Sequence, residues 1–341
     1  MRLLSIDLFS GVGGLSQGMH RAGFKTKLAI EIDEIASEAY RANHKRTRVL
    51  ADDIRTIKVS EVRRLLDNQT IHLLAGCPPC QGFSSVRRLN RSRAVADKRN
   101  SLINEYLRFV RSLRPYTIMM ENVPGLIHYT QFKNVVRALR RIGYSVDYKV
   151  VNVKDFGVPQ SRKRLVLVGS RLGEITVAEP PKIKKRTVRD VIGDLPRPNE
   201  CNDRLHQIYP THSEAVLERI RLTPRNGGSR SDLPARYTLK CHDDDSIGFR
   251  DVYGRLRWDS HSSTITGGCL NPSKGRFLHP TQNRTISARE ASMLQSFPKT
   301  YKFPVDIPVG DLALLIGNAL PPRFSYYQSR HIKEHIIKHL G

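Results

Sequence analysis

The chain has 341 residues, of which 39% are hydrophobic and 26% are charged, as is typical of a folded protein of about two domains. Lys and Arg outnumber Asp and Glu by 57 to 32, and the resulting net charge of +25 favours nucleic acid as the partner. No apolar run approaches the ~20 residues that span a bilayer, and the N-terminus lacks the pattern of a secretory leader. The five cysteines are an odd number and indicate thiols in a reducing compartment.

Residues 1 to about 172 alternate short apolar runs with helical patterns. The predicted strands are Leu3–Phe9, Lys27–Glu31, Ile71–Gly76, Tyr116–Glu121, Val146–Val153 and Arg164–Ser170. The predicted helices between them are Gly14–Ala22, Glu34–Asn43, Ser60–Leu66, Ser101–Leu113 and Gln131–Ile142. This alternation predicts an α/β domain with a mostly parallel sheet and helices on both faces.

The second half of the chain has a different texture. Residues from about 173 to 285 are rich in Pro, Gly, Ser and basic side chains, which predicts a second, irregular domain. Helical patterns return in Ala288–Gln295, Val309–Ile316 and Arg330–Leu340. The apolar stripe of the last helix predicts that it packs on the first domain. We therefore divide the chain into 1–172, 173–285 and 286–341.

The first strand leads into a glycine-rich turn, Asp7-Leu8-Phe9-Ser10-Gly11-Val12-Gly13-Gly14. Such a turn before a helix allows close approach of a ligand to the backbone. No Lys-Ser or Lys-Thr follows, which excludes a Walker loop, and Ser16 replaces the third glycine of the nicotinamide fingerprint. Glu31, ~20 residues on, is placed to accept hydrogen bonds from a ribose diol. The turn predicts an adenosine-type cofactor; an ordinary glycine turn is the alternative.

A thiol and a double-proline turn follow the strand Ile71–Gly76, in Cys77-Pro78-Pro79-Cys80. The carboxyl edge of an open α/β sheet is where ligands bind. A structural zinc site needs a second cysteine pair, and the other cysteines lie singly, so no metal site is predicted. We interpret Cys77 as buried and inert.

Glu121 closes the next predicted strand, where a carboxylate must be hydrogen-bonded or neutralised. A short connection predicts that the last two strands form a hairpin, which would place Arg162 and Arg164 beside Cys80 and Glu121. Two guanidiniums there could grip a carbonyl oxygen or a phosphate. A salt-bridged structural glutamate and ordinary surface arginines are the alternatives.

The segment between Ser84 and Asn100 carries six basic residues and one acid. Its position directly after the thiol predicts a loop that closes over an anionic polymer. A solvated basic loop is the competing interpretation.

Taken in order, these segments resemble the DNA (cytosine-5) methyltransferases. The resemblance covers both ends of the chain and leaves the middle of the second domain unmatched. It implies a Rossmann-like class I methyltransferase fold with a seven-stranded, mostly parallel sheet. It also implies a smaller target-recognition domain at 173–285, with the late helices of 286–341 returning to the catalytic domain of 1–172.

The resemblance implies S-adenosyl-L-methionine as the cofactor. The residues implied to bind it are Phe9, Gly11, Gly13, Gly14, Glu31, Ile32, Asp53, Ile54, Gly76, Pro79, Leu102, Asn318 and Ala319. Ile32 is a departure, since some family members place an aromatic residue against the adenine.

The resemblance also implies the catalytic roles. Cys80 would add to C6 of a flipped cytosine, Glu121 would hold or protonate N3, and Arg164 would bind O2 with Arg162 in support, without a metal. The implied DNA contacts are Gln81, Ser84, Arg87, Arg88 and Thr264.

The expected function is sequence-specific methylation of duplex DNA by a cytoplasmic, DNA-associated monomer. A restriction endonuclease acting on the same site is a candidate partner, and no membrane association is expected. Three alternatives stay open: an RNA cytosine-5 methyltransferase, a non-catalytic DNA-binding relative, and a nicotinamide-dependent oxidoreductase.

Overall fold

The computed structural model describes residues 2–79, 102–237 and 251–341. Five predicted site residues lie outside the described residues: Cys80, Gln81, Ser84, Arg87 and Arg88. The chain forms two compact units. The first unit comprises Met1–Phe156, Lys163–Lys182 and Leu320–Gly341, and the second comprises Gly157–Arg162 and Ile183–Ala319.

Within the described residues, the first unit contains a seven-stranded sheet. Its strands are β1 (Leu3–Leu8), β2 (Phe24–Glu31), β3 (Arg48–Ala51), β4 (Leu73–Gly76), β5 (Thr117–Asn122), β6 (Ser145–Asn152) and β7 (Lys163–Ser170). Their order is β3-β2-β1-β4-β5-β7-β6. Strands β1 to β5 are parallel, and β7 is antiparallel to both β5 and β6. The predicted α/β class with a mostly parallel sheet is confirmed.

The strand order reverses at the centre of the sheet. The chain leaves β1 towards β2 and β3, and then returns to place β4 on the other side of β1. Leu8 at the end of β1 pairs with Gly76 at the end of β4. Open α/β sheets bind ligands outside the carboxyl ends of strands at such a reversal. The fold therefore predicts a ligand site at the loops after β1, β2, β4 and β5.

The sequence patterns missed β3, because a four-residue strand at the sheet edge carries too little periodicity to be distinguished from a loop. They also placed the start of β2 three residues too late. Lys25 and Lys27 alternate with the buried Phe24 and Thr26, which is the pattern of a strand that buries one face more deeply than the other.

The α-helices of the described residues divide between the two units. The first unit holds α1 (Gly14–Ala22), α2 (Glu34–Asn43), α3 (Val59–Leu65), α4 (Leu102–Leu113) and α5 (Thr130–Arg141). The second unit holds α6 (Arg189–Ile192), α7 (Arg204–Gln207), α8 (Glu214–Leu222), α9 (Ala288–Leu294) and α10 (Val309–Asn318). The last helix, α11 (Pro322–Leu340), belongs to the first unit.

Helix α11 begins eight residues before the predicted Arg330, because Pro322 suits the first turn of a helix. It packs closely on α1. The Ser325 Oγ donates to the carbonyl of Leu15 at 2.7 Å, and a Cβ on Gly18 would overlap the Ser325 side chain. The C-terminal tail therefore returns to the first unit.

Helices α4 and α5 cover one face of the sheet. Tyr106 and Phe109 of α4 and Phe132 and Leu139 of α5 are fully buried in the core beneath them. The arginines of both helices remain on the outer flanks, as an amphipathic pattern requires.

The second unit is built from short helices and loops, and its described residues form isolated bridges rather than a regular sheet. The fully buried Arg255 holds these loops together. Its guanidinium donates to the carbonyls of Ile220 at 2.6 Å, Thr223 at 2.9 Å and His279 at 3.1 Å.

The compact units do not follow the predicted boundaries at 172 and 285. Helices α9 and α10 group with the second unit, so the predicted segment 286–341 divides after Ala319. Ion pairs account for this, since Arg289 of α9 donates to Asp203 at 2.7 Å and Glu290 pairs with Arg284 at 2.7 Å. The roles assigned to the domains stay predictions.

A search of the described residues found no helix that is both long and apolar enough to cross a membrane.

Candidate active site

The glycine turn after β1 adopts a left-handed backbone. Gly11 has φ 52° and Gly13 has φ 92°, values that glycine adopts with little strain. Phe9, just before them, has φ 57°. A Cβ on Gly11 would meet no atom within 4 Å, so packing within the protein does not exclude a side chain there. The turn leaves open space beside its backbone at the carboxyl edge of β1. Gly14 begins α1, and no side chain caps that helix.

Glu31 connects the glycine turn to the end of β2. Its Oε2 accepts a hydrogen bond from the Gly11 amide at 2.7 Å, and its Oε1 accepts one from the Asp33 amide at 3.0 Å. Burial raises the pKa of Glu31, and these amides oppose the shift. A carboxylate oxygen has two acceptor sites, so each oxygen can still accept a ligand hydroxyl.

The next residue along, Ile32, is 63% exposed. A large aliphatic side chain in water beside an open backbone turn is suited to contact a flat apolar ring. Gly11, Glu31 and Ile32 together therefore fit a nucleoside, with space for the ligand, an acceptor for its ribose and an apolar surface for its base.

The two residues predicted to contact adenine, Asp53 and Ile54, follow β3 and differ in their exposure to solvent. The Asp53 carboxylate pairs with Arg55, whose Nε donates to both oxygens at 2.9 Å, and this pairing lowers the pKa of Asp53. Ile54 is buried in the core at 4% exposure. Asp53 is thus the more accessible of the two.

The remaining predicted cofactor residues lie in both units. A Cβ on Gly76 would lie 2.9 Å from the Leu8 carbonyl oxygen, so glycine permits β1 and β4 to approach there. Pro79 and Leu102 are half-buried in the first unit. Asn318 ends α10 and Ala319 follows it, both in the second unit.

Glu121 and Arg164 form an ion pair at the ends of β5 and β7. The Arg164 Nε lies 2.7 Å from the Glu121 Oε1, and the side chains are only 14% and 9% exposed. Burial lowers the pKa of Arg164, and Glu121 opposes the shift. The antiparallel register of β5 and β7 brings the two residues together. The sequence analysis gave a salt-bridged glutamate as one alternative for Glu121, and a salt bridge is what the structure has.

Asn122 anchors the double-proline turn, a role that the sequence patterns missed. Its Nδ2 donates to the Pro78 carbonyl at 2.9 Å, while the Cys77 amide donates to the Leu8 carbonyl at 3.2 Å. The turn that leads to Cys80 is thereby tied to both β1 and β5. The position of Asn122, directly after Glu121 at the carboxyl end of β5, was the feature of the sequence that could have indicated this role.

Cys77 faces the same cluster of charges. Burial raises the pKa of its thiol well above the usual value, and the carboxylates of Glu121 and Asp7 add to the shift. Cys77 is half-buried rather than fully buried as predicted, and a thiol whose pKa is raised is a poor nucleophile, which favours its interpretation as inert.

Asp7 is a second residue that the sequence patterns did not single out. It is fully buried, the Ser16 Oγ donates to its Oδ2 at 2.7 Å, and its Oδ1 has no hydrogen-bond partner among the described residues. Burial raises the pKa of Asp7 to about 7; the hydrogen bond from Ser16 lowers this pKa, and the nearby charge of Glu31 raises it further. A buried carboxyl thus lies directly behind the glycine turn.

Arg162 lies in the second unit and is 5% exposed. Its Nη1 donates to the carbonyls of Ile265 at 2.8 Å and Gly317 at 2.9 Å. The Thr264 Oγ1 donates to the Ser161 carbonyl at 2.8 Å. These contacts bring together Arg162, the predicted DNA contact Thr264 and the end of α10, which lie far apart in the sequence.

The fold is that of a Rossmann-like methyltransferase. A solved structure described as a DNA modification methyltransferase encoded within a prophage (E. coli) matches with a TM-score of 0.74 and 26% identity, over 97% of this chain and 99% of that one. The Dnmt2 methyltransferase of S. pombe, at 20% identity and a TM-score of 0.70 over 98% of this chain and 100% of that one, shows the same fold.

The family model described as C-5 cytosine-specific DNA methylase matches residues 3–334, and the chain belongs to this family. It is 36% identical to the Type II methylase M.HgiDII of Herpetosiphon aurantiacus, over 96% of this chain and 94% of the relative. It is 35% identical to the Type II methyltransferase M1.HphI of Haemophilus parahaemolyticus, over 94% and 84%. The predicted family and class of enzyme are confirmed.

Membership decides between the alternatives left open by the sequence. A DNA methylase family favours DNA over RNA as the substrate and a methyl donor over a nicotinamide cofactor. Methyltransferases of this kind generally use S-adenosylmethionine. The individual site residues and their roles stay predictions.

Proposed function

We propose that the protein methylates C5 of a cytosine within a specific duplex DNA sequence, with Cys80 as the nucleophile. The observation that carries the proposal is the buried pair of Glu121 and Arg164. Glu121 lies on β5, the strand whose Asn122 holds the turn before Cys80. A carboxylate and a guanidinium at one sheet edge offer complementary groups for the N3 and O2 positions of a pyrimidine.

S-adenosylmethionine, when bound, supplies an electrophilic methyl group. Gly11 gives it room beside the backbone, Glu31 accepts hydrogen bonds from its ribose, and Ile32 contacts its adenine. The Asp53 carboxylate, which pairs with Arg55, is a further hydrogen-bond acceptor for the cofactor.

Cys80 activates the base. Its thiolate adds to C6, which raises the electron density at C5. C5 then attacks the methyl group, whose bond to the sulfonium sulfur breaks so that S-adenosylhomocysteine leaves. A base removes the C5 proton, which restores the C5–C6 double bond and expels the thiolate. A free thiol has a pKa of about 8.5, so Cys80 needs nearby positive charge. Cys77 is less suited to the role, because burial and the carboxylates of Glu121 and Asp7 raise the pKa of its thiol well above the usual value.

Glu121 and Arg164 stabilise the charge that develops on the ring. Glu121 holds or protonates N3, and Arg164 binds O2, in a site largely shielded from water where such interactions are strong. Arg162 acts through the backbone of Ile265 and Gly317, as a positioning residue.

The ring faces of a stacked base are inaccessible, so the target must be flipped out at a cost of a few kcal/mol. The net charge of +25 supports phosphate contacts that offset this cost. Type II relatives support a restriction-modification setting, in which a restriction endonuclease recognises the same sequence and the methyltransferase acts as a monomer.

Bisulfite sequencing tests the proposal. The protein is expressed in a host without cytosine-5 methylation, and we expect protected cytosines at one recurring sequence. A Cys80→Ser chain expressed to the same level is the control and should leave all cytosines convertible. Fully convertible DNA from the unaltered chain, or protection by the control, would contradict the proposal.

A further inference from the structure

A groove runs between α4 and α5, on the outer flank of the first unit. It encloses a cavity of about 590 Å³. Four arginines line it: Arg108 and Arg111 lie one turn apart on α4, and Arg137 and Arg141 lie one turn apart on α5. Residues spaced by three or four share one helix face, so two basic rows face each other across the groove.

Only one of these arginines has an acidic partner among the described residues. Arg108 donates to Glu105 at 2.7 Å and also holds the carbonyls of Ile54 at 2.6 Å and Ile57 at 3.0 Å. Arg108 is therefore a structural residue whose charge is matched.

The other three guanidiniums are exposed, and no ion pair joins them to a described carboxylate. Arg137 donates to a neutral partner, the Asn134 Oδ1, at 3.1 Å. Exposed Lys133, four residues before Arg137, extends the row on α5. Like charges at this spacing repel, so an anion in the groove would stabilise the arrangement.

Helix dipoles explain part of this pattern. Arg111 and Arg141 lie in the last turns of α4 and α5, where a cation is favoured by about 0.3–1 kcal/mol. Lys133 and Arg137 lie in the first half and middle of α5, where this effect is absent. The dipole therefore does not account for a continuous basic row.

The lining identifies the chemistry of the partner. Amide and hydroxyl groups of Asn104, Ser112 and Asn134 accompany the arginines, and both types of group bind phosphate oxygens. None of the large hydrophobic side chains exposed in the described residues lies in the groove. The apolar residues that do line the groove, Leu107, Val135 and Ala138, are buried or half-buried, so a protein partner would find little exposed apolar surface to anchor on.

We propose that the groove between α4 and α5 binds the phosphate backbone of DNA separately from the target base. The inference rests on the proposed function, which makes duplex DNA the polyanion that the protein meets. Both helices run from the carboxyl edge of the sheet towards its amino edge, so Arg111 and Arg141 lie away from the edge that carries Glu121. The groove gives the protein a second, sequence-independent hold on DNA.

The test compares two triple variants of the full chain. The groove variant carries Arg111→Gln, Arg137→Gln and Arg141→Gln, and leaves Arg108 in its structural role. The control variant carries Lys45→Gln, Arg46→Gln and Arg48→Gln, three exposed cations of the same unit, and loses the same charge. Circular dichroism and thermal unfolding establish that both variants fold.

Binding is measured with an A·T-only duplex of about 30 base pairs, which contains no cytosine. We expect the groove variant to bind about 100- to 1,000-fold more weakly than the unaltered chain near 0.1 M salt, which is one decade of salt below 1 M. The slope of log affinity against log salt should fall by about 2 to 3, since each lost phosphate contact removes about 0.9. The control variant should change much less.

An unchanged slope in the groove variant, or an equal loss in the control, would overturn the inference. Polyglutamate that competes better than the duplex through the same three arginines would instead assign the groove to an acidic protein. Binding to cytosine-free DNA does not require methylation, so failure of the proposed activity and failure of the groove are separate outcomes.

Discussion

The chemical environment of Cys77 bears on which of two neighbouring cysteines acts as the nucleophile. Cys77 lies beside the carboxylates of Glu121 and Asp7, and its thiol donates to Glu121. A neighbouring negative charge opposes formation of a thiolate, so Cys77 is the less suited of the two, and Cys80, which lies outside the described residues, stays the predicted nucleophile.

We expect Cys80→Ser to lower the methylation rate by about 10³-fold or more, because a serine hydroxyl does not form the anion that adds to C6. Cys77→Ser should stay within a few-fold of the unaltered chain, since serine still donates to Glu121. Tritium transfer from labelled S-adenosylmethionine to DNA measures both rates. DNA and S-adenosylhomocysteine binding should persist in each, and an equal loss of activity in both variants would contradict the assignment.

Asp7 gives the molecule a pH-dependent stability. Its pKa is about 7 in the folded protein and 3.8 ordinarily, so the folded state keeps a proton that the unfolded state releases. The free energy of unfolding should therefore fall by a few kcal/mol as pH rises from about 4 to 7.

Replacing Asp7 with asparagine should remove this part of the pH dependence, because the amide oxygen still accepts from Ser16 and carries no charge. We expect Asp7→Asn to raise the unfolding midpoint at pH 8 and to change it little at pH 5. Thermal unfolding followed at both pH values measures the difference. An identical shift at the two pH values would show that Asp7 does not titrate in this range.

At the scale of elements, helix α11 rests on α1 at Gly18, where a Cβ would overlap Ser325. The contact attaches the end of the chain to the helix that follows the glycine turn. Small residues at such a crossing permit close approach of the two backbones, and any added volume must displace a packed helix.

We expect Gly18→Ala to destabilise the first unit by about 1–3 kcal/mol. Gly310→Ala is the matched control, because Gly310 also lies in a helix and a Cβ there would meet no atom within 4 Å. The control should be neutral or slightly stabilising, since alanine favours helix more than glycine does. Urea unfolding measures both, and equal effects would refute the packing argument.

The proposed reaction requires the whole molecule to bring a thiol, a base and a methyl donor together, although the residues that we assign to them lie far apart in the chain. A duplex with 5-fluorocytosine at the target position tests this assembly, because fluorine cannot leave C5 as a proton does. We expect a covalent protein–DNA adduct on denaturing gels, only when S-adenosylmethionine is present and only with Cys80 intact. Absence of the adduct under these conditions would count against addition to C6.

Much of this organisation could be predicted from the sequence. The bounds of α1 and α2 were predicted to the residue, and the strands that carry Glu31, Glu121 and Arg164 were placed to within three residues. Long periodic segments next to glycine and proline turns carry enough local information for this. The four-residue β3 does not, and Asn122 escaped notice because its partner, Pro78, is distant in sequence.

Sequence alone determined the order of the motifs, the alternation of strands and helices, and the excess of positive charge, because these depend on residue identity and local spacing. Only the tertiary structure decided that Glu121 pairs with Arg164, that Asp7 is buried without a full set of partners, and that α9 and α10 join the second unit. Each of these depends on which distant residues come within hydrogen-bonding distance and how much water they lose, and local patterns carry neither quantity.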